Sequence, residues 1–61
     1  MPYVNVKVAG SLSNDQRKEI AKRISQTLFE VAGKKPETTY IVFDEIARDN
    51  WAVGDKLLTE I

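Results

Sequence analysis

Thr38-Thr39-Tyr40-Ile41-Val42-Phe43 is the stretch on which the fold turns. Two β-branched threonines, a tyrosine, an isoleucine, a valine and a phenylalanine in succession read as a strand. The run is apolar on both faces, so it belongs in the middle of a sheet or under another subunit. Its meaning depends on what precedes it. Tyr3-Val4-Asn5-Val6-Lys7-Val8 alternates strictly, with Val4, Val6 and Val8 on one face and Tyr3, Asn5 and Lys7 on the other. That is a half-buried strand. Ala9-Gly10-Ser11-Leu12 reads as a loop.

Between the two strands lies an amphipathic helix. Ser13-Asn14-Asp15-Gln16 has the form of a capping box, in which the Ser13 hydroxyl accepts from the Gln16 N–H and the Gln16 side chain reaches back. Asp15 puts negative charge in the first turn, where the helix dipole favours it. Ile20, Ala21, Ile24, Leu28, Val31 and Ala32 recur at spacings of three and four. Lys18, Glu19, Lys22, Arg23, Gln26 and Glu30 fill the other side. The pattern predicts a helix of roughly 18–20 residues. Gly33 stands where a helix ends in a left-handed residue, and Pro36 in the exit segment Lys34-Lys35-Pro36-Glu37 prevents a restart. Strand, helix and strand of these lengths make a β-α-β unit of the α/β (α+β) class, with parallel strands and a right-handed crossover. Asn50-Trp51-Ala52-Val53-Gly54-Asp55 reads as a short strand and a turn, and Leu57 and Leu58 need cover.

The chain has 61 residues, enough for one domain, here taken as residues 1–61. Chains this short gain stability from disulfides, metals or association. Cysteine and histidine are both absent. This rules out disulfides and argues against a zinc or copper site. Self-association is left to supply buried surface, and a two-stranded sheet with one helix has an open face and edges to cover. Nine basic and nine acidic residues balance to zero net charge, which gives no electrostatic case for nucleic acid or an anionic membrane. No apolar run spans a bilayer and no secretory signal is visible, so a cytoplasmic location is expected.

The missing residue types also narrow the chemistry. A Ser-His-Asp or Cys-His arrangement is impossible, and the three glycines are scattered, so there is no phosphate loop. Asp44 and Glu45 are neighbours on a strand and point to opposite faces, which opposes a carboxylate dyad; a solvated surface is their simplest reading. Trp51, the only tryptophan, suits a core, an interface or a substrate wall. Pro2 remains. After proline-directed removal of Met1 it carries a free secondary amine. The reference range for a chain-terminal amine is about 7.7–8.0, and desolvation or nearby cations bring it down into the range of a general base.

Four stretches now read together. They are Met1-Pro2-Tyr3-Val4-Asn5-Val6-Lys7-Val8, Ser13-Asn14-Asp15-Gln16-Arg17-Lys18-Glu19-Ile20, Thr39-Tyr40-Ile41-Val42-Phe43-Asp44-Glu45-Ile46 and Asp49-Asn50-Trp51-Ala52-Val53-Gly54-Asp55-Lys56-Leu57. In this order the chain resembles the 4-oxalocrotonate tautomerase family over essentially its whole length. The resemblance implies the tautomerase fold: a β-α-β unit with a C-terminal β-hairpin that pairs with a neighbouring subunit. It implies a homohexamer built as a trimer of dimers. Pro2 would be the catalytic general base in a pocket shared between subunits, with a small-molecule substrate and no cofactor. It implies that the substrate-binding positions are Ala9, Leu12, Tyr40 and Trp51, with Trp51 in the place of a pocket aromatic.

Two of those positions depart from the family. Well-known members carry arginines where this chain has Leu12 and Tyr40. Neither replaces a guanidinium on a carboxylate, although Tyr40 can donate one hydrogen bond. The departure shifts the expected substrate from a dicarboxylate to a monoacid enol or an uncharged dienol or ketone, and it leaves Pro2 with fewer cations to lower its pKa. Lys7, Arg48 and Lys56 are the cations available as replacements. Gly54-Asp55 stands where many members have two glycines, and Asp tolerates left-handed turns better than most residues. The alternative reading is a non-catalytic oligomeric assembly module of the same fold, which has no need of a free Pro2 amine.

Overall fold

The computed structural model describes residues 1–61. Strand β1 (Tyr3–Ala9) lies parallel to strand β2 (Tyr40–Ile46), in a register that runs from Tyr3 opposite Tyr40 to Ala9 opposite Ile46. Helix α1 (Asn14–Ala32) connects them. This is the β-α-β unit expected, with shifted ends. Ala9 belongs to β1 because Ile46 is there to pair with it. Thr38 and Thr39 are lost to β2 because both hydroxyls donate to the Lys35 carbonyl, at 3.1 and 3.0 Å. These bonds brace a 3-10 turn over Pro36–Thr38. Pro36 therefore opens a turn as well as blocking an α-helix, since its fixed φ suits a first helical position.

The start of α1 follows its sequence signal. The Gln16 N–H donates to Ser13 Oγ at 3.1 Å and the Ser13 N–H to Gln16 Oε1 at 2.8 Å. Gly33 closes the helix at φ 68°, a left-handed value that its missing Cβ permits. Ile20, Ala21, Ile24 and Leu28 are half-buried against the strand face that carries Val4, Val6, Val8, Ile41 and Phe43. Val31 and Ala32, expected in the same stripe, are exposed. Nineteen helical residues span about 28 Å, whereas a seven-residue strand spans about 23 Å, so the last turn overhangs the sheet.

The other face of the sheet is bare. Tyr3, Asn5 and Lys7 alternate there with Tyr40, Val42 and Asp44. At its centre Asp44 Oδ2 accepts from Asn5 Nδ2 at 2.8 Å and from Lys7 Nζ at 2.9 Å. Tyr3, Tyr40 and Val42 are 66%, 57% and 43% exposed. Within one chain β2 is bonded on one side only, so of the two readings of its composition a central place in the chain's own sheet is excluded and cover by another subunit is left. None of the 61 residues is buried. The Cα radius of gyration is 14.6 Å, against about 10.5 Å for a compact chain of this length. The accessible surface is 4809 Å², against about 4,000 Å² for a compact monomer of this mass.

The tail is a 3-10 turn (Arg48–Asn50), a hairpin of β3 (Ala52–Val53) and β4 (Lys56–Leu57), and a last 3-10 turn (Leu58–Glu60). Gly54 takes φ 64°, while no non-glycine residue has a positive φ. Only the first of the two turn residues is left-handed, so Asp55 is not asked to adopt that geometry. No helix of the chain is long and apolar enough to cross a membrane.

Candidate active site

The five residues singled out from the sequence fall into two groups, at opposite ends of the sheet. The first is Pro2 with Tyr40. Pro2 is half-buried just before β1, and its carbonyl accepts the Tyr40 N–H at 2.9 Å. The first residue of β2 thus fixes where Pro2 sits. The Tyr40 phenol stands on the open face beside Tyr3.

The second group gathers around the last two residues of β2. Ala9 lies opposite Ile46. The Ile46 carbonyl accepts two protons, from the Gly10 N–H at 2.9 Å and from Trp51 Nε1–H at 3.3 Å. One carbonyl therefore ties the loop after β1 to the tryptophan of the tail. Trp51 is half-buried, and its own carbonyl accepts the Leu58 N–H at 3.0 Å. Gly10 turns the chain at φ 93°, which a side chain would resist.

Glu45 holds the same loop. Its Oε1 accepts the Leu12 N–H at 2.7 Å and Arg17 Nη1 at 2.6 Å. The same Arg17 nitrogen donates to the Leu12 carbonyl at 2.7 Å. Both backbone groups of Leu12 are thereby clamped. The Leu12 N–H, and after it the Arg17 guanidinium, hold the Glu45 carboxyl below its ordinary pKa. Asp44 is likewise held low, by Lys7 and Asn5, on the opposite face. The two acids diverge as expected and form no dyad, but each has protein partners and is more than a solvated charge. Arg17 was not visible as a participant from the sequence. One signal was there: a cation in a first helical turn opposes the helix dipole, which suggests a partner elsewhere. Of the cations considered as arginine replacements, Lys7 is committed to Asp44 at 2.9 Å.

From Pro2 to Ala9 is seven extended steps, about 23 Å. No pocket bridges that distance. The largest surface depression, about 560 Å³, lies between α1 and Pro36 and contains none of the five residues. A second, about 280 Å³, is bordered by Val4, Ile24 and Leu28. The third, about 250 Å³, reaches Leu12 alone among them.

A half-covered β-α-β unit with a tail hairpin, Pro2 at one end of its sheet and Trp51 at the other, has the tautomerase fold. The solved structure of YwhB, a homologue of 4-oxalocrotonate tautomerase, matches it with a TM-score of 0.88 at 25% identity, covering 98% of each chain. The family model described as "Tautomerase enzyme" matches residues 2–61. A probable tautomerase, K2, of Dickeya dadantii (strain 3937) is 34% identical, over 98% of this chain and 91% of that one. The 2-hydroxymuconate tautomerase of Bacillus subtilis (strain 168) is 26% identical, over 100% of this chain and 98% of that one. The chain belongs to the tautomerase family and is an enzyme of the tautomerase/isomerase class. Family membership favours the enzyme over the assembly module.

Proposed function

We propose that this chain is a cofactor-independent keto–enol tautomerase whose general base is the amine of Pro2, freed by removal of Met1. The observation that carries the reading is the bond from the Tyr40 N–H to the Pro2 carbonyl. It fixes the proline at the head of the sheet, at the chain terminus, where removal of Met1 converts its amide nitrogen into a free secondary amine. The neutral amine takes the hydroxyl proton of an enol. The O–H electron pair becomes the new carbonyl bond, and the carbon end of the π system takes the proton back from the prolinium. Base and product are both regenerated, so no redox partner is needed.

The site is assembled from at least two chains, with Pro2 and Tyr40 of one meeting Ala9, Leu12 and Trp51 of another. The 23 Å separation within one chain supports this, as do the bare sheet face and the absence of any buried residue. A homohexamer, a trimer of dimers, covers these surfaces and agrees with the family resemblance. With Leu12 and Tyr40 in place of cations, the pocket suits a monoacid enol better than a dicarboxylate.

The test is ketonisation of phenylenolpyruvate, an enol monoacid, by protein shown by mass to lack Met1. Wild type should accelerate the reaction and Pro2→Ala should not. Equal rates for the two would reject Pro2 as the base. Much faster turnover of a dicarboxylate dienol than of a matched monoacid would reject the substrate class.

A further inference from the structure

Leu12 is the one loop residue whose N–H and C=O are both bound by the same pair of side chains. Glu45 comes from β2 and Arg17 from α1, and they are bonded to each other at 2.6 Å. The clamp therefore joins all three parts of the β-α-β unit at a single loop residue. Nothing else in the loop explains why Leu12 should be held so closely. Ser13, next to it, already has its capping partner in Gln16. Gly10 is already tied to Ile46. Without the clamp, Ser11 and Leu12 would lie between the Gly10–Ile46 bond and the Ser13 cap with no hydrogen bond of their own, and the Leu12 side chain would be less restrained.

We propose that Glu45 and Arg17 are positioning residues for the reaction: they hold the backbone of Leu12 so that its side chain forms a fixed wall of the substrate pocket. This rests on the reading of Leu12 as a substrate-facing residue. The pair acts through Leu12 and does not touch substrate or Pro2. Glu45 is the central member, since its one oxygen receives both the Leu12 N–H and Arg17. Replacing Glu45 leaves Arg17 able to hold the Leu12 carbonyl only.

The experiment is a double-mutant cycle on Leu12→Ala and Glu45→Ala, in protein lacking Met1, with phenylenolpyruvate as substrate. Glu45→Ala should raise KM about tenfold while kcat and the pH profile of the reaction, which report Pro2, stay in place. Glu45→Gln keeps an oxygen for the Leu12 N–H and should recover part of the loss. In the Leu12→Ala background, Glu45→Ala should raise KM no further. If the two effects instead multiply, or if only Leu12→Ala raises KM, the positioning role is wrong while Leu12 keeps its place in the site. If Leu12→Ala itself leaves KM unchanged, the substrate-facing reading fails and the proposal falls with it. Amide hydrogen exchange at Leu12 checks the clamp independently of activity. Glu45→Ala must speed it while exchange in the centre of β1 is unchanged, and protection that persists would also overturn the proposal.

Discussion

A site divided between chains predicts that two damaged proteins restore each other. Pro2→Ala removes the proposed base, and Trp51→Ala removes the proposed pocket wall from the far end of the sheet. A general base must come within about 3 Å of the proton it moves, so Pro2 cannot serve an Ala9–Leu12–Trp51 cluster about 23 Å away on its own chain. Suppose Trp51→Ala alone keeps about one tenth of the activity, as loss of an apolar contact allows. Let equal amounts of the two variants be unfolded together and refolded. With random assortment, about a quarter of the sites combine an intact Pro2 with an intact Trp51, and about a quarter combine Pro2 with the truncated residue. The mixture then has about 0.28 of the wild-type rate. If Pro2 and Trp51 belonged to one chain's site, every intact Pro2 would be paired with the damaged position, and the rate would be about 0.05. The assay is phenylenolpyruvate ketonisation, with native mass spectrometry confirming that mixed assemblies form. Mixed assemblies that show only the lower rate would refute the divided site.

Three further outcomes follow from the same structure. Ser13→Ala removes the acceptor for the Gln16 N–H and should cost about 1 kcal/mol per chain, lowering the melting temperature by roughly 4–8 °C; an unchanged melt would mean that the cap is not holding α1. Asp44 is held below its ordinary value of 3.8 by Lys7 and Asn5. A lowered folded pKa contributes stability in full above that ordinary value, and the contribution is lost as pH falls through the folded one. Asp44→Asn should therefore flatten the acid limb of a urea-midpoint profile below about pH 4, and an acid limb as steep as wild type would exclude Asp44 as its source. Leu12→Arg should shift relative kcat/KM toward a dicarboxylate dienol by about tenfold or more, because a guanidinium binds a second carboxylate in a way leucine cannot. Unchanged selectivity would remove Leu12 from the substrate's surroundings.

Much of the fold was legible because its signals are local. The alternation of Tyr3 to Val8, the Ser13–Gln16 box and the left-handed Gly33 each depend on neighbours within a few residues, and each appears as expected. The strand boundaries were less legible because pairing decides them. Asp44 and Glu45 are poor strand formers, yet they extend β2 because Lys7 and Val8 lie alongside. Val31 was misplaced because helical period says which side of a helix is apolar and nothing about where the sheet beneath it ends. Arg17 and Glu45 are 28 residues apart, and no spacing rule links them.

The sequence by itself determined a β-α-β chain, its helix caps, a proline before the first strand and the lack of His and Cys that excludes the catalytic arrangements built on them. These follow from backbone preference, hydrophobic period and composition, which act over short range or over none. Only the tertiary structure decided that Pro2 and Tyr40 stand at one end of the sheet and Ala9, Leu12 and Trp51 at the other. The cause is the parallel register. It places the starts of β1 and β2 side by side and their ends side by side, so residues near in sequence to opposite strand ends are kept a full strand length apart.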